Sequence, residues 1–241
     1  MKMHTLGRTG ISVSRICLGT MTFGHQNTEA EGHQQMDMAA EHGVNFFDSA
    51  EMYPFPANPK TYGRTDEIVG TWLAARGQRD KIVVATKIAG PGARFEHIRG
   101  GSLKFDRTHL IQAVDDSLAR LRTDYIDLYQ THWPERPANY FGKLGYNHDA
   151  NAEWTPFEEM LDVMAEIEKA GKVRAFGISN ETPWGLMELM KLSESKGLPR
   201  MASIQNPYSL INRTFEVGLA EAAIRSDCGL LAYSPLGFGA L

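Results

Sequence analysis

Seven short apolar runs alternating with helix-like stretches predict an α/β fold, a parallel sheet wrapped by helices of the (β/α)8 TIM-barrel kind. Two observations favour a barrel over a doubly wound nucleotide-binding sheet. The first run continues as Cys17-Leu18-Gly19-Thr20-Met21-Thr22-Phe23-Gly24, which lacks G-x-G-x-x-G spacing and does not open directly into a helix. Three consecutive runs also end on polar residues, as side chains at the rim of a barrel do. The 241 residues supply seven core strands, so the eighth βα unit is expected to be lacking. Residues 1–241 are read as one C-terminally incomplete barrel domain, with open edges at the first and seventh strands.

In chain order, Lys2 to Thr5 and Ile11 to Val13 flank Leu6-Gly7-Arg8-Thr9-Gly10, which predicts a small hairpin ahead of the barrel. Arg15 to Gly19 is the first core strand. Thr28 and Glu31 form a capping-box pair for a helix that runs to about His42 and stops at Gly43. The Val44 to Asp48 strand follows. Thr65 is expected to cap a helix burying Ile68, Val69, Trp72 and Leu73 and ending near Gly77. The Ile82 strand leads through the loop Gly90 to Phe105 into a helix begun at Asp106, with Leu110, Val114, Leu118 and Leu121 on one face. After the Ile126 strand comes an insertion from Pro134 to Trp154. Thr155, Pro156 and Glu158 are a helix start, and Gly171 is the stop. Val173 to Ile178, a helix from Thr182-Pro183 to Gly197, and Ala202 to Gln205 come next. A helix over Thr214 to Arg225 and a strand from Gly229 to Tyr233 complete the pattern.

Composition excludes several classes. Lys plus Arg number 25 and Asp plus Glu 29, a net charge of −4, which argues against a dedicated nucleic-acid surface. No apolar run approaches the ~20 residues of a membrane helix, and Met1 to Thr5 lack the apolar centre of a signal peptide. Cys17 and Cys228 each lie in or beside an apolar run and read as buried free thiols, which suits a cytoplasmic protein. No metal-ligating set is expected, and the oligomeric state is open.

The candidate chemistry lies where strands end. Val44-Asn45-Phe46-Phe47 turns polar at Asp48, Tyr53 follows on the next loop, the Ile82 run ends at Lys87, and the Ile126 run ends at His132. A tyrosine with its reference pKa of about 10 is a poor acid near neutrality. A lysine beside it favours the phenolate, a carboxylate balances the lysine, and a histidine can orient a carbonyl oxygen. Together they form a device that delivers a proton to one oxygen. Such a device supplies no electrons, so a hydride donor is required. Each of the four taken alone has an ordinary structural use; it is their joint placement at the ends of strands two, three and four that points to chemistry.

With these residues in place, the chain resembles the aldo-keto reductase family, and within it the Tas-type bacterial branch. The resemblance is carried by Gly19-Thr20-Met21, Asp48-Ser49-Ala50-Glu51-Met52-Tyr53, Thr86-Lys87, Gln130-Thr131-His132-Trp133-Pro134 and Gly177-Ile178-Ser179-Asn180. Gln205-Asn206-Pro207-Tyr208-Ser209 and Ala232-Tyr233-Ser234-Pro235-Leu236-Gly237 complete the set. It implies NADPH-dependent interconversion of small carbonyl compounds and alcohols. Tyr53 would be the general acid, Lys87 would lower its pKa, Asp48 would pair with Lys87, and His132 would orient the carbonyl. Ser179, Asn180 and Gln205 match positions that hold the nicotinamide carboxamide, and Tyr233 matches the ring that stacks on it. Gly19, Thr20 and Met21 match the cofactor wall, and Ser234, Pro235, Leu236 and Gly237 match the start of the pyrophosphate loop. Met52 and Trp133 are expected to line the substrate pocket. Arg94 and Arg99 read as solvating their loop rather than as an anion site. The alternatives are a nicotinamide-sensing binding module with little turnover and an inactive fragment of a reductase.

Overall fold

A computed structural model describes residues 1–241. The chain opens with an antiparallel hairpin, β1 (Met3–Thr5) and β2 (Ser12–Ser14). The main sheet is built from β3 (Cys17–Gly19), β4 (Phe46–Asp48), β5 (Val83–Ile88), β6 (Leu128–Thr131), β7 (Phe176–Ser179), β8 (Met201–Pro207) and β9 (Gly229–Tyr233). All neighbours are parallel and occur in sequence order, with β3 and β9 as the two edges. Between them run α1 (Glu29–Glu41), α2 (Arg64–Arg76), α3 (Arg107–Leu121), α4 (Phe157–Lys169), α5 (Pro183–Lys196) and α6 (Leu219–Arg225). This is the curled sheet of a (β/α) barrel with seven of its strands and the expected hairpin in front.

Alternation along the strands sorts the side chains into two layers. Phe47, Val84, Tyr129, Phe176 and Ile204 face outward and pack with Ile68, Trp72, Leu110, Val114, Leu161 and Leu186 from the helices. Their neighbours Phe46, Val83, Leu128 and Ala175 face inward and meet Leu6, Ile11 and Val13 of the hairpin, which plugs one mouth of the barrel. The same parity carried along each strand turns Asp48, Lys87, Gln130 and His132 inward at the opposite mouth. Gly177 is required on this inner face, because a Cβ there would stand 2.6 Å from Ser203 Oγ. No helix is long and apolar enough to cross a membrane.

Several local expectations hold in detail. Thr28 and Glu31 make the full capping box, Asp106 caps α3 by accepting the His109 N–H, and Thr182 caps α5 by accepting the Gly185 N–H. Others give way to tertiary bonds. Thr65 does not cap α2: its hydroxyl donates to the Phe23 carbonyl at 2.7 Å, and the helix starts from Gly63 at φ 76°. Thr155 does not cap α4, because its hydroxyl donates to Glu135 Oε1 at 3.2 Å and leaves Pro156 as the last non-helical residue. The helix expected over Thr214 to Arg225 is broken at Gly218 (φ 93°), leaving one 3-10 turn and the short α6. Strands β3 to β7 begin later than the apolar runs, β8 begins one residue earlier at Met201, β9 matches its expected bounds, and β5 and β8 extend past Lys87 and Gln205. Both cysteines are free, Cys228 buried and Cys17 only partly so.

Gly70 of α2 lies against the α3 backbone, where an added Cβ would stand 2.2 Å from the Arg120 carbonyl oxygen. Gly70→Ala is expected to lower stability by about 1–3 kcal/mol through overpacking alone, read as a lower urea midpoint at unchanged slope.

Candidate active site

Four chain segments bring Asp48, Tyr53, Lys87 and His132 together at the open mouth. Asp48 ends β4, Tyr53 sits on the loop that follows it, Lys87 is the penultimate residue of β5, and His132 comes directly after β6. Lys87 is 0% exposed, and its Nζ donates to Asp48 Oδ2 at 2.5 Å and to the Ser49 carbonyl at 2.7 Å. The same Nζ lies 5.3 Å from the centre of the Tyr53 ring. Tyr53 meets the His132 ring edge-on with centroids 5.5 Å apart. The remaining oxygen of Asp48, Oδ1, accepts the side-chain amides of Gln130 and Gln205, each at 3.1 Å. The carboxylate is thus held from three strands at once.

The charges follow from this packing. Burial lowers the Lys87 pKa, but the adjoining Asp48 and Tyr53 outweigh it and push it above the ordinary lysine value. Burial, with the Lys87 charge adding, holds His132 well below the usual imidazole value, so the ring is neutral. Its Nδ1 is buried with no partner. Burial raises the Tyr53 phenol above its ordinary value; Lys87 pulls it back and Asp48 adds to the rise. Lys87 acts on Tyr53 in the expected direction, but loss of water outweighs it, so the net shift of the phenol is upward and it keeps its proton.

The positions expected to face a cofactor lie around the same mouth. Ser179 ends β7 and donates from Oγ to the Gln205 carbonyl at 2.7 Å. Asn180, at φ 53°, donates from Nδ2 to the His132 carbonyl at 2.9 Å and to Ser179 Oγ at 3.1 Å. Tyr233, at the end of β9, donates its hydroxyl to Asn180 Oδ1 at 2.7 Å. Burial, with the nearby Tyr53 adding, pushes the Tyr233 phenol up to about 12. These groups fit a carboxamide. Gln205 Oε1 takes no hydrogen bond within the protein and Ser179 Oγ can accept, which serves its N–H groups, while Asn180 Nδ2 can turn from Ser179 to its oxygen. Thr20 donates both its N–H and its hydroxyl to the Asp48 carbonyl, fixing the segment Gly19-Thr20-Met21 beside the site, with Met21 exposed. The turn Ser234-Pro235-Leu236-Gly237 follows Tyr233 directly and is closed by the Gly237 N–H on the Ser234 carbonyl, with Leu236 exposed.

Met52, Tyr53 and Trp133 share an apolar cluster with Ile98 and Leu103. Trp133 packs on His132 (centroids 5.0 Å apart) and Phe95 (5.2 Å), and its Nε1–H donates to the Pro91 carbonyl at 3.0 Å. Arg99 does not solvate its loop. It is fully buried in an ion pair with Glu51, whose Oε1 also accepts the Ala89 N–H at 2.5 Å. Glu51 and Gln130 lie inside the quoted motifs but were assigned no role from the sequence, and the pairing of Arg99 with Glu51 could not be read there, because the two are 48 residues apart and Arg99 sits in an irregular loop with no periodic signal.

The sequence model of the Aldo/keto reductase family matches residues 15–241. Protein tas of Escherichia coli (strain K12) is 48% identical over 241 residues, which is 100% of this chain and 70% of that protein. The uncharacterized oxidoreductase YrpG of Bacillus subtilis (strain 168) is 37% identical over 246 residues, covering 100% and 68% respectively. Among solved structures, the thermostable aldo-keto reductase Tm1743 in complex with the inhibitor epalrestat superposes with a TM-score of 0.78. Its identity is 26%, over 100% of this chain and 75% of that one. The chain therefore belongs to the aldo/keto reductase family, a family of oxidoreductases, and falls with its Tas-type bacterial members.

Proposed function

We propose that this protein reduces aldehydes or ketones to alcohols with NADPH, and that Tyr53 gives up the proton. The observation that carries this reading is the buried Lys87–Asp48 pair beside Tyr53, facing a neutral His132. On this reading the Tyr53 hydroxyl is the proton source. Two of the three Lys87 N–H bonds are tied to Asp48 and to the Ser49 carbonyl, and the raised pKa of the ammonium keeps its protons in place, while the neutral His132 ring carries a single N–H. That N–H can still donate to a carbonyl oxygen and hold it against the phenol. As negative charge grows on that oxygen, the fixed Lys87 charge favours proton release from Tyr53, and the phenolate left behind is stabilised by the same ammonium.

NADPH, when bound, supplies the hydride that the side chains cannot. Ser179, Asn180 and Gln205 would hold its carboxamide, with Tyr233 against the ring and Gly19, Thr20 and Met21 forming a wall. Ser234, Pro235, Leu236 and Gly237 would begin the pyrophosphate loop. Trp133 and Met52 would line the substrate pocket and keep water from the reacting carbon. On this reading residues 1–241 act as one barrel domain, in the cytoplasm.

Tyr53→Phe is expected to lower carbonyl reduction about 100- to 10,000-fold, the range for losing a general acid. Quenching of protein fluorescence by NADPH should persist in that variant and exceed the quenching by NADH. Near-native turnover of 4-nitrobenzaldehyde by Tyr53→Phe would rule out the assigned acid. The pH profile is a second test. A neutral His132 and a protonated Tyr53 predict a rate of reduction with no break near pH ~6.5. The rate should decline only in the alkaline range, as the phenol loses its proton. An acid limb in the imidazole range would instead show that a charged histidine takes part.

A further inference from the structure

Asp48 and Lys87 point into the barrel, so their neighbours Ser49 and Thr86 point out toward α2. There they meet a single carboxylate. Asp66, in the first turn of α2 and fully buried, accepts the Ser49 hydroxyl at 2.6 Å and the Thr86 hydroxyl at 3.1 Å, both on Oδ1. Its Oδ2 accepts Arg120 Nε of α3 at 3.3 Å. Arg120 is itself fixed, with Nη2 on Ser117 Oγ at 3.1 Å and the guanidinium over the Tyr62 ring at 5.3 Å. Gly63 makes room for it, since a Cβ there would stand 2.6 Å from Arg120 Cδ.

Around it the seam between the sheet and these helices is filled largely by apolar side chains, Ile68, Val69, Leu110 and Val114 among them. A buried carboxylate in such a place is costly and persists only when its oxygens are satisfied. Here two of its three donors come from adjacent strands, at the residues next to the charged pair. The β4–β5 ladder ends with Asp48 opposite Ala85, and Lys87 lies beyond it. Past that point the two chains are joined by two backbone bonds, Ser49 N–H to Ala85 (2.8 Å) and Glu51 N–H to Lys87 (3.1 Å). Asp66 adds a side-chain bridge at that level. The Ser49 carbonyl, on the residue it grips, is the second acceptor for Lys87 Nζ.

We propose that Asp66 is a positioning residue for the reduction: by gripping Ser49 and Thr86 from behind, it sets the separation of the two strand ends at which Lys87 Nζ bridges Asp48 and the Ser49 carbonyl beneath Tyr53. This rests on the reading of Tyr53 as the acid. Asp66 touches neither substrate nor cofactor positions, so its removal should impair chemistry more than binding.

The test uses Thr86→Val, which keeps the shape and loses the hydroxyl, Thr86→Ser, which keeps the hydroxyl, and Asp66→Asn. Two quantities are followed in folded protein: the 13Cζ resonance of labelled Tyr53, assigned as the signal missing from Tyr53→Phe, and kcat and KM for 4-nitrobenzaldehyde with NADPH. Thr86→Val and Asp66→Asn should displace the Tyr53 resonance and lower kcat about 10- to 100-fold, with KM little changed. Thr86→Ser should restore both. An unmoved resonance and full kcat in Thr86→Val would overturn the proposal, as would a loss that Thr86→Ser shares. If Asp66→Asn does not fold, the two Thr86 variants decide alone. If the wild type proves inactive or Tyr53→Phe stays active, the reductase reading fails, and the resonance in Thr86→Val still decides the role of Asp66.

Discussion

A lysine ammonium cut off from water is the constraint around which the open end of this barrel is arranged. Lys87 is fully buried, and an unpaired charge there would cost several kcal/mol. Two acceptors answer it, the Asp48 carboxylate and the Ser49 carbonyl. Asp48 in turn needs its second oxygen satisfied, which draws in Gln130 from β6 and Gln205 from β8. Every member of the chain of bonds is fixed by the one before it. The result is a charged floor beneath Tyr53 that is already assembled in the protein, so little reorganisation is left for the moment when charge develops on a substrate oxygen.

The two-residue repeat of the strands lets one short stretch serve two purposes. Phe46 packs against the hairpin side and Phe47 against the helices, while Asp48 turns into the mouth and Ser49 turns back to Asp66. On β5 the sequence Ala85-Thr86-Lys87 divides in the same way. Inward residues carry the charge and outward residues carry the anchors. Substitutions on the helix-facing side of the sheet therefore bear on the mouth of the barrel without lying in it.

The loops over the mouth are held by further buried charges. Glu51 and Arg99 join the segment carrying Tyr53 to the loop after β5, and Arg136 pairs with Glu181 to join the loops after β6 and β7. The Arg136 guanidinium also lies over the rings of Phe157 and Trp184, 5.1 and 4.8 Å from their centres. Removing one partner of such a pair leaves a buried charge behind, so these loops are tied down more firmly than their irregular backbone suggests. With Arg99 committed to Glu51, the cluster around Trp133 is aromatic and apolar.

By itself the sequence determined what depends on near neighbours and on period. The hairpin, the order of strands and helices, the Thr28–Glu31 and Thr182 caps and the placement of Asp48, Lys87 and His132 at strand ends were legible, because each is set by residues a few positions apart. Tertiary structure decided where distant groups compete. Thr65 and Thr155 gave their hydroxyls to Phe23 and Glu135 instead of their own helices, and Arg99 left solvent for Glu51. Tyr53 ended with a raised pKa because loss of water outweighed a favourable neighbour. Burial and pairing across many residues leave no mark in local pattern, since they depend on which surfaces meet when the sheet curls.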